Sequence, residues 1–233
     1  MLSILATPIG NLDDLSVRAA RTLLEADIIL AEDTRTVRVL IERAKKMMEN
    51  TVHYRGEESQ KIISYYKEVE YQKLPQVMDW LAEGLHVTLV SEAGMPLISD
   101  PGHLLVQTVQ KHHIPLTVIP GPSAVHTALA ASGVKFDHYQ FVGFLPKKES
   151  ERTKLFEKFH TIQHQLGKTR LVFVAFESPE RVQDTLAHLY SHYPDGKVVL
   201  CRELTKKFEE IVFQPSASDV YRGEIVLILD FVK

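Results

Sequence analysis

Cysteine is almost missing: Cys201 stands alone among 233 residues. An intramolecular disulfide is therefore impossible, and no Cys-x-x-Cys zinc or iron–sulfur site exists. Such usage fits a reducing cytoplasm. Long apolar runs are missing too. The longest, such as 225–229, fall far short of the ~20 residues that span a bilayer. The first eleven residues lack the basic-then-apolar pattern of a signal peptide, so none is expected. Neither sign of charge dominates, since 27 Lys and Arg face 30 Asp and Glu for a formal charge of −3. This excludes a polycation and an acidic disordered tail. The eleven glycines form neither GxGxxG after a strand nor GxxxxGK[ST], so a Rossmann dinucleotide loop and a P-loop are both absent. HExxH and GxSxG are also absent. The eleven histidines are scattered, and adjacent ones such as His112 and His113 diverge on a helix, so no metal site is expected.

What remains is 45% hydrophobic sequence in which short β-branched runs alternate with longer amphipathic stretches. The spacing predicts strands at 2–6, 27–31, 86–90 and 115–119. Helices are expected at 15–26, at 34–48 with Thr34 as cap, at 74–83 before Gly84, at 104–112, and at 123–132 before Gly133. This order implies α/β structure with a doubly wound, mostly parallel sheet. The second half predicts strands at 140–144, 171–176, 197–201 and 224–231, with helices at 149–165 and 179–192. Its two late strands suit antiparallel pairing, so this half is expected to be α/β with a mixed sheet. Pro120-Gly121-Pro122 continues neither strand nor helix. It divides an N-terminal α/β domain, 1–119, from a C-terminal α/β domain, 120–233.

Charge and rigidity are unevenly spread. Residues 135–170 hold eight Lys and Arg against four Asp and Glu, a local net charge of +4 that suits a phosphate-bearing partner or a solvated helix face. Five of the eleven prolines lie between Gly94 and Pro122. Two of the stiff segments there, SEAGMPLISDPG at 91–102 and PGPSA at 120–124, each follow a predicted strand. In an open parallel sheet the carboxyl ends of the strands form the ligand crevice. Loops built of Gly and Pro expose backbone donors and acceptors there at low entropic cost, which suits an adenine or an amino-acid zwitterion. ATPIGN at 6–11 and AEDTR at 31–35 are further strand-end loops. Glu32 and Asp33 suit a helix N-terminus, whereas Arg35 opposes the helix dipole and should find a ligand or a carboxylate.

These four segments resemble the tetrapyrrole methylase superfamily, and most of all its branch that modifies ribosomal RNA. The likeness continues through FVGFLPKK (141–148), FESPERV (176–182), RELTKKFEE (202–210) and RGEIVLIL (222–229). The resemblance implies two α/β domains, S-adenosylmethionine folded in the cleft between them, and a homodimer. It implies 2′-O-methylation of a cytidine ribose in the 16S rRNA of the small ribosomal subunit. By motif, Ile9 lines the cleft, and Gly94, Met95, Pro96 and Ile98 hold the methionine or ribose part. Ser123 and Ala124 follow at the junction, and Phe176, Leu204, Glu224 and Ile225 come from the second domain.

Three features depart from the family pattern. Met95 stands where AGTP is usual, so a threonine hydroxyl is lost. The acidic FHEHNE-like motif is represented only by HYRGEE at 53–58, and residues 59–71 look longer than usual. The chain stops at Lys233, just after the last expected strand, where longer members carry a further small domain; weaker RNA docking is the expectation. A ribose hydroxyl is a weak acid that needs a base or a nearby cation. Glu32, Asp33, Glu57 and Asp100 are candidates, with Asp100 equally suited to cap a helix before Pro101. Arg35 and Lys206 are candidates to place phosphate or stabilise oxyanion character. The rival readings are C-methylation of a tetrapyrrole and an RNA-binding homologue without turnover. Aromatics expected to be partly exposed, Tyr65, Tyr66, Tyr71, Phe136, Tyr139 and Phe141, suit burial on a two-fold partner.

Overall fold

Four-residue apolar runs are too short to make a stable layer alone, and here they do so by lying side by side. β1 (Leu2–Leu5), β2 (Ile28–Ala31), β3 (Lys61–Ser64), β4 (Val87–Val90) and β5 (Leu116–Ile119) form one sheet in the order β3-β2-β4-β1-β5. Every pairing in it is parallel. The computed structural model describes residues 1–49 and 60–231. Its chain divides into two units, Met1–Ser123 and Ala124–Lys233.

In the first unit the helices sort by direction of travel. α1 (Val17–Glu25) and α2 (Thr34–Met48) carry the chain toward the β3 edge, and both pack on one face against Leu5, Ile29, Val90 and Ile119. α3 (Lys67–Ala82) and α4 (His103–Lys111) bring it back across the other face, against Leu2, Leu30, Val87 and Leu89. Two directions on two faces are what right-handed crossovers require. Because all five strands run the same way, every loop that follows a strand emerges along one edge.

The second unit uses a different scheme. β6 (His138–Phe144), β7 (Leu171–Glu177), β8 (Lys197–Arg202), β9 (Glu210–Phe213) and β10 (Ile225–Asp230) are ordered β6-β7-β10-β8-β9. β6 and β7 are parallel, and the remaining pairs are antiparallel. α6 (Glu149–Gln165) and α7 (Val182–His192) cover one face, where Phe156 and Phe159 meet Phe173, Leu227 and Leu229. The short α5 (Ala124–Ala131) lies on the opposite face, with the Ala128 carbonyl 4.0 Å from Cys201 Sγ. Burial pushes the Cys201 thiol up to about 11, helped by Glu209, so it stays protonated and unreactive.

Four expectations need correction. The third helix starts at Lys67 rather than 74. Its first turns are polar and carry no apolar stripe, and Pro75 lies inside the helix. Those turns are held by a tertiary contact, in which Glu70 Oε1 accepts from Leu104 N at 3.2 Å and Leu105 N at 3.4 Å. The cap of α2 is Asp33 rather than Thr34, with Oδ1 accepting from Arg35 N at 2.7 Å. Strands β3 and β9 were not expected; each opens on a charged residue, Lys61 or Glu210, and has no fully buried position. Tyr65 is fully buried, so it belongs to the core and not to an exposed aromatic cluster.

The FESPERV segment shows how the second unit is pinned. Glu177 ends β7 with its side chain wholly buried. Its carboxylate meets Arg181 Nη2 at 2.5 Å, Thr185 Oγ1 at 2.8 Å and Ser178 N at 2.8 Å. Arg181 Nη1 also donates to Leu145 O at 3.0 Å. Removing one member leaves the others buried and unpaired, which costs more than the pair contributes. Glu177→Ala is expected to lower unfolding stability by about 3 kcal/mol, read from urea denaturation, whereas a loss below about 1 kcal/mol means that water replaces the carboxylate.

Candidate active site

The loops after β1, β4 and β5 interlock where the strands end. Thr7 N donates to Gly94 O at 2.8 Å, and Gly94 N returns the bond to Thr7 O at 3.1 Å. Ser91 Oγ adds a bond to Gly94 O at 2.7 Å. Gly94 has φ +84°, and a Cβ there would sit 3.3 Å from Ile9 Cγ2 and 3.6 Å from Pro122 O. A Cβ at Gly121 would lie 2.9 Å from Ala6 Cβ. Glycine is thus required at both crossings. Gly94 spends its own N–H and C=O inside this latch, so its part is to shape the loop. Ile9 and Pro96 are buried beneath it, Met95 and Ser123 are half-buried, and Ile98 is 48% exposed.

The latch continues into strained backbone. Leu97 (φ 72°) and Ser99 (φ 75°) are left-handed non-glycine residues, and so are Glu203 (φ 50°) and Thr205 (φ 66°) in the second unit. Only two other described non-glycine residues share that conformation. The strain therefore concentrates in two of the segments expected to carry chemistry. Each such residue costs about 1–3 kcal/mol and persists where the surroundings impose it.

The carboxylates at the ends of β2 and β4 have unlike surroundings. Asp33 caps α2 and also receives Arg35 Nε and Nη2, the latter at 2.7 Å from Oδ2. The Arg35 side chain and the two capped amides hold Asp33 down to about 2, so it is a very weak base. The carboxylate expected for Arg35 is thus its neighbour in the first helical turn. Asp100 lies at the other extreme. Burial, with Glu32 and Glu92 adding repulsion, pushes it up to about 6. Asp100 is not the cap of α4, a position taken by Gly102, whose Cβ would strike Leu89 at 2.6 Å. Glu32 is exposed. Glu92 is a residue that sequence reasoning passed over, although it stood inside a motif already singled out. Glu57 lies outside the described residues.

In the second unit, Lys206 and Glu224 form one cluster with Glu203, which sequence reasoning also missed. Lys206 Nζ is 3.0 Å from Glu203 Oε1 and 2.9 Å from Glu224 Oε2. Burial alone would lower the ammonium, but its bonds to both carboxylates outweigh that and raise it. Lys206 is therefore a fixed cation and not a base. Gly223 (φ +84°) lets Glu203 fold over it, since a Cβ there would strike the carboxylate at 2.4 Å. Leu204 and Ile225 are buried beside this cluster in sequence, and Phe176 is half-buried. Ala124 opens α5. In the basic stretch 135–170 seven of the eight cationic side chains are exposed, but Arg152 is only 5% exposed. Among the described residues no group of three or more His, Cys, Asp or Glu is placed to hold a metal ion, and no helix is long and apolar enough to cross a membrane.

The chain is 39% identical over 232 residues to the ribosomal RNA small subunit methyltransferase I of Streptococcus pyogenes serotype M3, covering 100% of this chain and 71% of that protein. It is 36% identical over 236 residues to the protein of the same name from Thermotoga maritima, covering 98% and 97%. The fold is like that of the uroporphyrin III C-methyltransferase of Thermus thermophilus, at a TM-score of 0.62 and 14% identity, covering 97% of this chain and 96% of that one. The model of the Tetrapyrrole (Corrin/Porphyrin) Methylases family matches residues 1–220. Strand-end loops latched by Gly94, an acidic rim and this match lead to one statement of kinship: the chain belongs to the tetrapyrrole methylase family and is a methyltransferase.

Proposed function

We propose that the protein methylates a cytidine ribose 2′-oxygen of 16S rRNA in the small ribosomal subunit, with S-adenosylmethionine as donor. The observation that carries the reading is the strand-end edge of the first unit, where the Thr7–Gly94 latch fixes the loops and the half-buried Asp100 feels the charges of Glu32 and Glu92. Full-length likeness to proteins named for ribosomal RNA methylation supports the choice of acceptor.

The residues fit the donor. S-adenosylmethionine bears a sulfonium and an ammonium against one carboxylate, so a rim of carboxylates complements it. The glycines at 94 and 121 let the strand-end loops pack closely on one another, which fixes the shape of the edge on which the donor is placed. When bound, it supplies an electrophilic methyl group. Ile9, Gly94, Met95, Pro96, Ile98 and Ser123 of the first unit are assigned to it; Ala124, Phe176, Leu204, Glu224 and Ile225 are further candidates by motif alone. A contact made through the Met95 backbone survives loss of the usual threonine hydroxyl.

The chain's own groups divide the remaining work. Asp100 accepts the proton of the attacking hydroxyl at its carboxylate, which burial and the nearby Glu32 and Glu92 push up to about 6. Arg35 stays charged and, steadied by Asp33, places a phosphate. Lys206 contributes fixed positive charge within its carboxylate pair. Orientation supplies most of the remaining acceleration, since the methyl donor is already activated. The deciding experiment is methyl transfer to undermethylated small subunits with mapping of the product, in which methylation of a base carbon or of no nucleotide at all overturns the reading.

The protein is further proposed to be a homodimer. Tyr71 is 81% exposed and Tyr139 41% exposed, with Phe136 and Phe141 half-buried beside the latter in sequence. Light scattering at micromolar concentration should give twice the 26.5 kDa chain mass; a concentration-independent single-chain mass refutes the dimer.

S-adenosylmethionine at a hundredfold excess over its Kd should stabilise the wild type by about 2.7 kcal/mol, seen as a raised Tm. Gly94→Val, which crowds Ile9 and strains the latch, should lose that shift while circular dichroism still reports a folded chain. An undiminished shift removes the donor from these loops.

Asp100 makes a pH prediction. Its native carboxyl releases the proton near 6, against 3.8 ordinarily. Between those values the native state holds a proton that the unfolded chain has lost, so stability falls as pH rises through the window. Asp100→Asn should therefore be more stable than wild type above about pH 6 and no different near pH 4. The same variant should lose about a hundredfold or more in methyl transfer rate, while the wild-type rate climbs through pH 6. A gain in stability with an unchanged rate makes Asp100 a loop carboxylate only.

A further inference from the structure

The FVGFLPKK segment holds a feature that neither the donor site nor the acidic rim uses. β6 and β7 run in parallel register to Phe141↔Val174 and then jump to Phe144↔Phe176, so three steps on β6 match two on β7. The extra residue is accommodated by Gly143 at φ +71°. A bulge of this kind re-aims the next side chain, and Phe144 is left 63% exposed. Its ring is steadied by an edge contact with Phe176, centroids 5.4 Å apart and planes at 65°. Phe176 is itself braced by Phe141 at 4.9 Å. The ring is therefore mounted and oriented, and much of its surface faces water.

The residues that follow are held as firmly. Leu145 is buried, and its N–H donates to Phe176 O at 3.1 Å. Two guanidinium groups then take successive carbonyls, Arg181 Nη1 on Leu145 O at 3.0 Å and the buried Arg152 Nη1 3.5 Å from Pro146 O. Lys147 and Lys148 follow this clamp and are exposed, Lys148 with its Nζ 3.4 Å from Glu151 Oε1. An exposed phenylalanine alone is ordinary. Here a left-handed glycine, a broken ladder and two arginines are all committed to presenting one ring beside two lysines.

We propose that Phe144 is a stacking platform for one unstacked base of the RNA substrate, with Lys147 and Lys148 on the flanking phosphates. Every base has a π-face, so stacking tolerates sequence, and unpaired nucleotides offer that face where duplex does not. The positive charge of the surrounding segment is complementary to a phosphodiester chain. The assignment rests on the reading of the enzyme as an RNA methyltransferase.

The test uses the full chain and a short single-stranded RNA of mixed sequence carrying one 2-aminopurine, whose fluorescence is quenched by stacking. Wild type should bind and quench it, whereas the same RNA in duplex form, where the base is already stacked, should show no further quenching on addition of the protein. Phe144→Leu keeps apolar bulk without a π-face, and should lose the quenching with about tenfold weaker binding. Phe144→Trp should restore both. Lys147→Glu with Lys148→Glu should weaken binding and flatten its salt dependence, yet leave the quenching at saturation intact. If wild type binds and Phe144→Leu quenches equally well, the platform is refuted while the RNA reading stands. If the Leu variant instead halves the mass seen by light scattering with RNA binding unchanged, the ring is a subunit contact and the proposal is overturned. If wild type binds neither this RNA nor small subunits, the RNA reading fails and the platform falls with it.

Discussion

The reciprocal backbone pair between Thr7 and Gly94 is the point on which the first unit's working edge depends. It spans the loops after β1 and β4, neighbouring strands in the sheet, and Ser91 anchors it from below. Ile9 and Pro122 close over Gly94, and Ala6 closes over Gly121. Each neighbour restricts another, so the loops reach their shape together. Left-handed Leu97 and Ser99 are tolerated only because both ends of their loop are fixed, at Gly94 by the latch and at Gly102 by its fit against Leu89. A free loop would relax to ordinary dihedrals and recover several kcal/mol of order. The parallel sheet is what brings the participants to the same edge in the first place.

Environment then separates side chains that composition makes equivalent. Asp33 and Asp100 are the same residue type at adjacent strand ends. One receives two amides and a guanidinium and ionises near 2; the other is buried against like charges and ionises near 6. Only the second suits proton transfer at neutral pH. Lys206 shows the converse, since two carboxylates fix its charge and exclude it from acid–base work.

Legibility in the sequence followed the length and regularity of each pattern. The helix at 149–165 was read to the residue because its ends are marked locally, by Glu149 and Glu151 in the first turn and by the left-handed Gly167 just past the last. The parallel-to-mixed change between the halves was readable from loop lengths. Strands β3 and β9 were not, because each opens on a charge and neither has a fully buried residue to mark it as core. The early start of α3 was hidden because its support is a carboxylate reaching another helix, a contact without local trace. Within the site, motifs located the loops, but the division between Asp33 and Asp100 depends on burial and on partners far apart in sequence. Glu92 and Glu203 were missed for the same reason: each matters through the neighbour it faces.

Glu70 carries one more consequence. In many parallel α/β proteins the positive end of a helix beside the strand ends is kept open for a phosphate. Here the start of α4 is already neutralised by Glu70, and the start of α2 by Asp33. The sites that would normally attract polyphosphates are plugged from within, and more carboxylates line the rim. A free polyphosphate would meet carboxylates at these two helix starts, where such scaffolds usually offer open amides. At the starts of α2 and α4 the scaffold that elsewhere collects phosphates is thus electrically inverted by its own side chains.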